Sequence, residues 1–185
     1  MTQPAGVPFA EFVEAHRDAS REEFLEAVGV PHLAVPRGTG AHSRGGYRTE
    51  VDLAHAAPRA AGPVKPGADA LAGMVLYPIR KRGTSGNIAG QMVMVGRSEV
   101  GDIALDDSAV SKFHAYFKLT KPGAWIVCDG GSSYGTFVNG APAPTTGGLP
   151  VASRDRVQFA EGLETVFWSP EDLFAALREV ALDGY

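Results

Sequence analysis

Residues 112–119 read KFHAYFKL. Phe113, Ala115, Phe117 and Leu119 alternate with His114, Tyr116 and Lys118. Successive side chains of a strand point to opposite faces, so this alternation predicts a strand with Phe113, Ala115, Phe117 and Leu119 on one face and His114, Tyr116 and Lys118 on the other. The neighbouring segments repeat the theme: GMVLYPIR (73–80), QMVMVGR (91–97), DIALD (102–106), AWIVCD (124–129), TFVNG (136–140), DRVQFA (155–160) and LETVFW (163–168). Pro78 predicts an edge position for the first of these, because proline cannot donate to a ladder. Val157 and Phe159 give DRVQFA an inner face. Short strands at this spacing, with turn residues between them, predict a mainly β fold: a β-sandwich of antiparallel sheets.

Helical signals flank the strands. Phe9, Phe12, Val13 and His16 fall at i, i+3, i+4, i+7. Ser20 followed by Glu23 reads as a capping box, Phe24, Leu25 and Val28 form a stripe, and Gly29 stops the helix. An apolar segment broken by Pro31 and Pro36 follows, and residues 1–37 are expected to be a short N-terminal helical unit. Residues 38–70 lose periodicity and are rich in Gly, Ala and Pro, the composition of a flexible linker. At the other end Ser169 is a cap, Pro170 opens a helix, and Glu171 and Asp172 line its first turn. Leu173, Phe174, Leu177 and Val180 are its apolar stripe. The expected organisation is therefore 1–37 helical, 38–70 linker, 71–169 sandwich and 170–185 a helix packed on it.

Bulk properties exclude several functions. The 185-residue chain carries a net charge of −4, which opposes nucleic-acid binding by phosphate neutralisation. Cys128 is the sole cysteine, so no intramolecular disulfide forms and a zinc cluster lacks thiolates; in a strand it reads as a small buried hydrophobe. Five histidines (16, 32, 42, 55 and 114) show no paired metal spacing. No apolar run approaches 18 residues and no leader pattern is present, so a cytoplasmic protein without a membrane span is expected. GTSGNIAG (83–90) lacks the Gly-Lys-Ser/Thr ending of a P-loop. No nucleophile–base pair, metal set or cofactor loop is recognisable, so the expectation is no enzyme, no catalytic residues, no metal and no cofactor. Trp125 and Trp168 read as core or groove residues.

Three motifs stand in order at strand–loop junctions: VGRS (95–98), SKFH (111–114) and GSSYGTFVNG (131–140). Arg97 offers a planar, permanently charged fork suited to bidentate anion capture. Ser111 and Ser133 offer hydroxyls on separate loops, and Lys112 offers a second positive charge or a backbone donor. Taken singly, Arg97 reads equally as an ion-pair partner of Asp106 or Asp107, and the serines as loop caps.

With DIALDD before and DRVQFA after, the ordered set resembles the forkhead-associated (FHA) domain over roughly Leu71 to Ser169. The resemblance implies an FHA-like β-sandwich that binds phosphothreonine peptides on loops at one end, without catalysis. It implies phosphopeptide contacts for Arg97, Ser111, Lys112, Ser133 and Tyr134. It implies structural support from Gly96, His114, Gly135 and Asn139, with His114 bracing loops rather than touching phosphate. The implied partner is a phosphorylated protein or peptide in a Ser/Thr-kinase pathway, bound by a signalling adaptor. The Gly/Ala/Pro-rich style fits a GC-rich bacterial genome.

Two positions depart from the family pattern. Lys112 stands where arginine is commoner, and Tyr134 stands where the family carries an asparagine that bonds the peptide backbone. A phenol hydroxyl lies farther from the main chain than an amide and cannot reproduce that pair of bonds. Tyr134 is thus expected to alter peptide register, by stacking on the ligand or filling part of the groove. The alternative function is a phospho-independent structural or assembly module whose phosphate site has decayed at Tyr134. A third reading is self-recognition: Thr49 with Asp52 three residues on matches an offset that some family members favour.

Overall fold

A computed structural model describes residues 6–37, 65–82, 92–120 and 123–182. In chain order the elements are β1 (Val7–Pro8), α1 (Phe9–His16), α2 (Arg21–Val28), β2 (His32–Pro36), a 3-10 helix (Ala68–Leu71), β3 (Met74–Pro78), β4 (Met92–Gly96), β5 (Ile103–Ala104), β6 (Ala115–Leu119), β7 (Trp125–Asp129), β8 (Thr136–Val138), β9 (Ala141–Pro142), β10 (Leu149–Val151), β11 (Arg156–Phe159), β12 (Leu163–Trp168) and α3 (Pro170–Leu182). The expectations for 38–64 and 83–90, including the Thr49 pattern and the Gly-rich GTSGNIAG, lie outside the described residues.

The strands form two sheets, one of seven in the order β1-β3-β2-β12-β11-β8-β9 and one of five in the order β10-β7-β6-β4-β5. Every pair is antiparallel except β4 with β5, which run parallel. The core between the sheets is built from the alternating positions: Val93, Val95, Ala115, Phe117, Val127, Val157, Phe159 and Phe167. A fully buried Phe or Leu stabilises by about 1.5–3 kcal/mol, so this layer dominates cohesion.

The structure differs from the sequence expectation in KFHAYFKL. Ala115 and Phe117 are fully buried, but Phe113 is 50% exposed and Leu119 48%. The strand begins only at Ala115, and Phe113 sits in the preceding loop, where the period-two rule has no force. His114 is buried instead.

Residues 6–37 form the two expected helices and more. The capping box of α2 is complete, with Glu23 N–H donating to Ser20 Oγ at 3.3 Å and Ser20 N–H to Glu23 Oε2 at 2.8 Å. Gly29 ends the helix in the left-handed region, φ 61°. Beyond it His32–Pro36 is a strand paired on both sides, with β12 and with β3. Leu33 and Val35 enter the inter-sheet core, while Ala34 faces a second core outside the seven-stranded sheet. That second core joins Phe9, Phe12, Phe24, Leu71, Leu76, Trp168, Leu173 and Leu177. The stretch expected as an apolar part of a helical unit is thus an inner strand of the sandwich. The expected linker runs between two neighbouring strands of one sheet, and its described end folds as the 3-10 helix with Ala68 and Leu71 buried.

Helix α3 packs on this outer core, with Leu173, Ala176 and Leu177 buried. Ser169 Oγ caps it by accepting the Asp172 N–H at 3.2 Å. Arg178 ties it to the α1–α2 turn, donating to the carbonyls of Arg17 (2.7 Å) and Ala19 while lying 4.9 Å over the Phe174 ring. Among the described residues, no helix is long and apolar enough to cross a membrane.

Candidate functional site

The rim where β4 and β7 end and β6 and β8 begin carries all three sequence motifs. Its geometry starts at Gly96. A Cβ there would stand 2.2 Å from the Lys112 carbonyl oxygen, so only glycine lets the two chains approach. The closeness permits two bonds, Arg97 N–H to Ser111 O at 2.9 Å and Ser98 N–H to Lys112 O at 3.1 Å. The Arg97 side chain is exposed, and its Nε donates to Val110 O at 3.2 Å. That bond ties the guanidinium to the residue before Ser111 and engages neither Nη group. Asp107, on the connection between β5 and Ser111, turns its Oδ1 to the Ala109 N–H at 2.8 Å.

His114 links the first two motifs to the third. It is fully buried. Its Nδ1 accepts the Ser111 N–H at 3.0 Å, and its Nε2 faces the Gly135 carbonyl at 3.0 Å. A backbone N–H can only donate and a carbonyl can only accept, so the proton resides on Nε2. Burial lowers the imidazole pKa, against the opposing pull of the Gly135 carbonyl and the Asp129 charge. The ring is neutral and rests edge-on against Phe159, centroids 5.8 Å apart. The ring thus braces the Ser111 loop against the Gly135 loop.

The loop 129–136 is organised by Asp129. Its Oδ2 accepts the N–H groups of Gly131 and Ser132, both at 2.9 Å. Its Oδ1 accepts the hydroxyls of Ser132 (2.6 Å) and Thr136 (2.8 Å). Burial raises the carboxyl pKa, but these hydrogen bonds outweigh it and the net shift is downward. Ser132 Oγ in turn accepts the Gly135 N–H at 2.9 Å. Gly135 has φ 79°, a conformation that glycine tolerates and a side chain resists. Asp129, Ser132 and Thr136 are not among the site residues expected from the sequence. The run Asp-Gly-Gly-Ser-Ser carries the signal, because an aspartate bonding backbone two and three residues on is an Asx-turn.

With the loop so held, Ser133 N–H donates to Ser111 Oγ at 3.2 Å. Arg97, Ser111 and Ser133 therefore meet at one place on the rim. Lys112 and Ser133 are exposed beside them, and Tyr134 is 40% exposed. Asn139 lies elsewhere. It occupies the opposite end of β8 at φ 49°, and its Oδ1 accepts the Arg156 N–H at 3.0 Å. There it fastens the β8–β9 turn to β11, rather than supporting the rim loops.

A family model of the FHA domain matches residues 93–160. No curated protein matches. Several solved structures are similar. One, from a structural and functional analysis of phosphothreonine-dependent FHA domain interactions, is 17% identical, covering 75% of this chain and 94% of that one, TM-score 0.44. The FhaA FHA domain complexed with the intracellular domain of Rv3910 is 17% identical, covering 74% and 98%, TM-score 0.43. The N-terminal FHA domain of Rad53p from S. cerevisiae, in complex with a phosphothreonine peptide, is 21% identical, covering 48% and 82%, TM-score 0.39. The FHA family model covers residues 93–160, and the sandwich extends past that match through β1, β2, β3 and β12.

Proposed function

We propose that this FHA domain is a non-enzymatic adaptor module that binds a phosphothreonine peptide, in cytoplasmic signalling downstream of a Ser/Thr kinase. The single observation that carries the reading is the meeting of Arg97, Ser111 and Ser133, with Ser133 N–H on Ser111 Oγ at 3.2 Å and Arg97 N–H on Ser111 O at 2.9 Å. A phosphate group brings a charge of about −1.5 to −2 and three acceptor oxygens. The Nη groups of Arg97 take two oxygens as a fork. Ser111 Oγ already accepts a hydrogen bond, so its own proton is directed to the ligand. The Ser133 hydroxyl supplies a further donor and Lys112 adds charge at the edge. Each charge-assisted bond contributes about 1.5–3 kcal/mol net. Ordering and association consume several kcal/mol, so micromolar binding, about −8 kcal/mol, is the expected class.

Calorimetric titration of the full chain with a phosphothreonine peptide library, alongside the same peptides without phosphate, tests the reading. Phosphate-dependent binding that Arg97→Ala abolishes supports it. No binding to any member, or binding untouched by Arg97→Ala, rejects it. Equal binding of both peptide forms favours the phospho-independent assembly module, with Tyr134 as the mark of a lost phosphate site.

A further inference from the structure

Five large apolar side chains stand exposed among the described residues: Val7, Val100, Phe113, Leu119 and Tyr134. Three of them lie on the loops that carry the proposed cradle. Phe113, 50% exposed, follows Lys112, and Tyr134, 40% exposed, follows Ser133. Val100, 85% exposed, is in the turn after Arg97. The Phe113 and Tyr134 loops touch through the Ser133–Ser111 bond, and are braced by Gly130 N–H to His114 O at 2.7 Å and by the His114–Gly135 bond at 3.0 Å. Neither ring stacks on another aromatic ring among the described residues. Two rings held in water on braced loops bring no folding gain, but they offer large contact area at little conformational cost when a partner covers them.

The charges nearby narrow the partner further. Glu99 and Asp106 are exposed on the connections flanking Arg97. Arg82 donates to the Glu99 and Asp102 carbonyls at 3.5 and 3.0 Å, and Lys81 pairs with Asp102 at 3.0 Å, so basic side chains accompany this acidic edge. With Arg97 and Lys112 engaged by the phosphate, an acidic side chain next to the phosphoresidue still meets Glu99 and Asp106 and gains no free cation from the cradle. Granted the phosphopeptide reading above, we infer that the site selects peptides whose residues flanking the phosphothreonine are apolar, with Phe113 and Tyr134 as the selecting contacts. Tyr134 then replaces directional amide bonds to the peptide main chain with a face that reads side-chain hydrophobicity.

The test uses the full chain and three synthetic phosphothreonine peptides, identical except for leucine, serine or glutamate at the flanking positions, plus the unphosphorylated leucine peptide. Fluorescence polarisation is expected to show the leucine peptide bound about tenfold more tightly than the serine peptide, and the glutamate peptide weakest. In Phe113→Ser, and separately in Tyr134→Asn, the ratio of leucine to serine affinity is expected to fall toward one. Equal binding of all three phosphopeptides by the wild type, or a ratio unmoved in both variants, overturns the inference and leaves phosphate recognition standing. Binding of no phosphopeptide, or of the leucine peptide regardless of phosphate, overturns the phosphate reading and the inference with it.

Discussion

Replacing Asp129 by asparagine isolates the contribution of one buried carboxylate to the binding rim. Oδ1 accepts two hydroxyls and Oδ2 accepts two backbone N–H groups, at 2.6–2.9 Å. An amide has only one oxygen and no charge, so one of these pairs must face an NH2 group; hydroxyls can turn to accept from it, whereas backbone N–H groups cannot. Two charge-assisted bonds disappear, nominally about 1.5–3 kcal/mol each. Gly131 is exposed and water can serve its N–H, which halves the loss, so the expected destabilisation is about 1.5–3 kcal/mol. For a chain of this size that lowers Tm by about 3–12 °C. The pH dependence gives a second readout. The folded pKa of Asp129 lies below its ordinary value of 3.8, so its stabilisation is present above that value and is lost as pH falls through the folded pKa. Asp129→Asn should therefore flatten the acid limb of the stability curve as well as lower the plateau. Thermal unfolding monitored by circular dichroism, repeated from neutral pH to about pH 2, measures both. A Tm within about 1 °C of wild type at neutral pH, with an unchanged acid limb, would refute the view that this carboxylate holds the loop.

Other expectations follow from the same geometry. His32 is buried with its pKa pushed down to about 4, chiefly by burial. The unfolded chain binds a proton near pH 6.5 and the folded one does not, so stability should fall by about 3 kcal/mol as pH drops from 6.5 toward 4. Denaturant melts across that range check this, and a slope that persists in His32→Gln would exclude His32 as its source. Gly96→Ala forces a methyl group to 2.2 Å from the Lys112 carbonyl and should separate the Arg97 and Ser111 chains. A destabilisation of about 2–4 kcal/mol, with loss of phosphopeptide binding, is expected in calorimetry, and wild-type affinity would count against the close approach. A chain beginning at Gly38 lacks β2 together with Phe9, Phe12, Phe24, Leu33 and Val35, all buried. At about 1.5–3 kcal/mol each, their loss rivals the whole stability of about 5–15 kcal/mol, so that chain should be unfolded or insoluble. A cooperative melt near the wild-type Tm would show the sandwich to be independent of its N-terminal segment.

Features encoded within a few residues are legible in the sequence. The capping box at Ser20 and Glu23, the stop at Gly29, the start of α3 at Ser169 and Pro170, and most of the strand succession from Met74 to Trp168, β9 and β10 apart, depend on local periodicity or local hydrogen bonding. The ordered motifs around Arg97, Ser111 and Ser133 are visible for the same reason. Partnership through space is not. His32–Pro36 looks like any short apolar run between prolines, because a strand buried on both faces shows no alternation. Its place between β12 and β3 joins segments far apart in the chain, with His32 opposite Trp168. Phe113 obeys the alternation on paper yet lies in a loop, since pairing begins at Ala115. Asn139 is near the binding motif in sequence and at the far end of its strand in space.

The sequence by itself determined the three helices, most of the strands, and which side chains could grip an anion, because those follow from short-range patterning and side-chain chemistry. Only the tertiary structure decided that Arg97, Ser111 and Ser133 converge, that His114 and Asp129 hold them, and that two aromatic rings are left facing water. These outcomes depend on which strand lies beside which, a choice made by burial of the two cores as a whole rather than by any one segment.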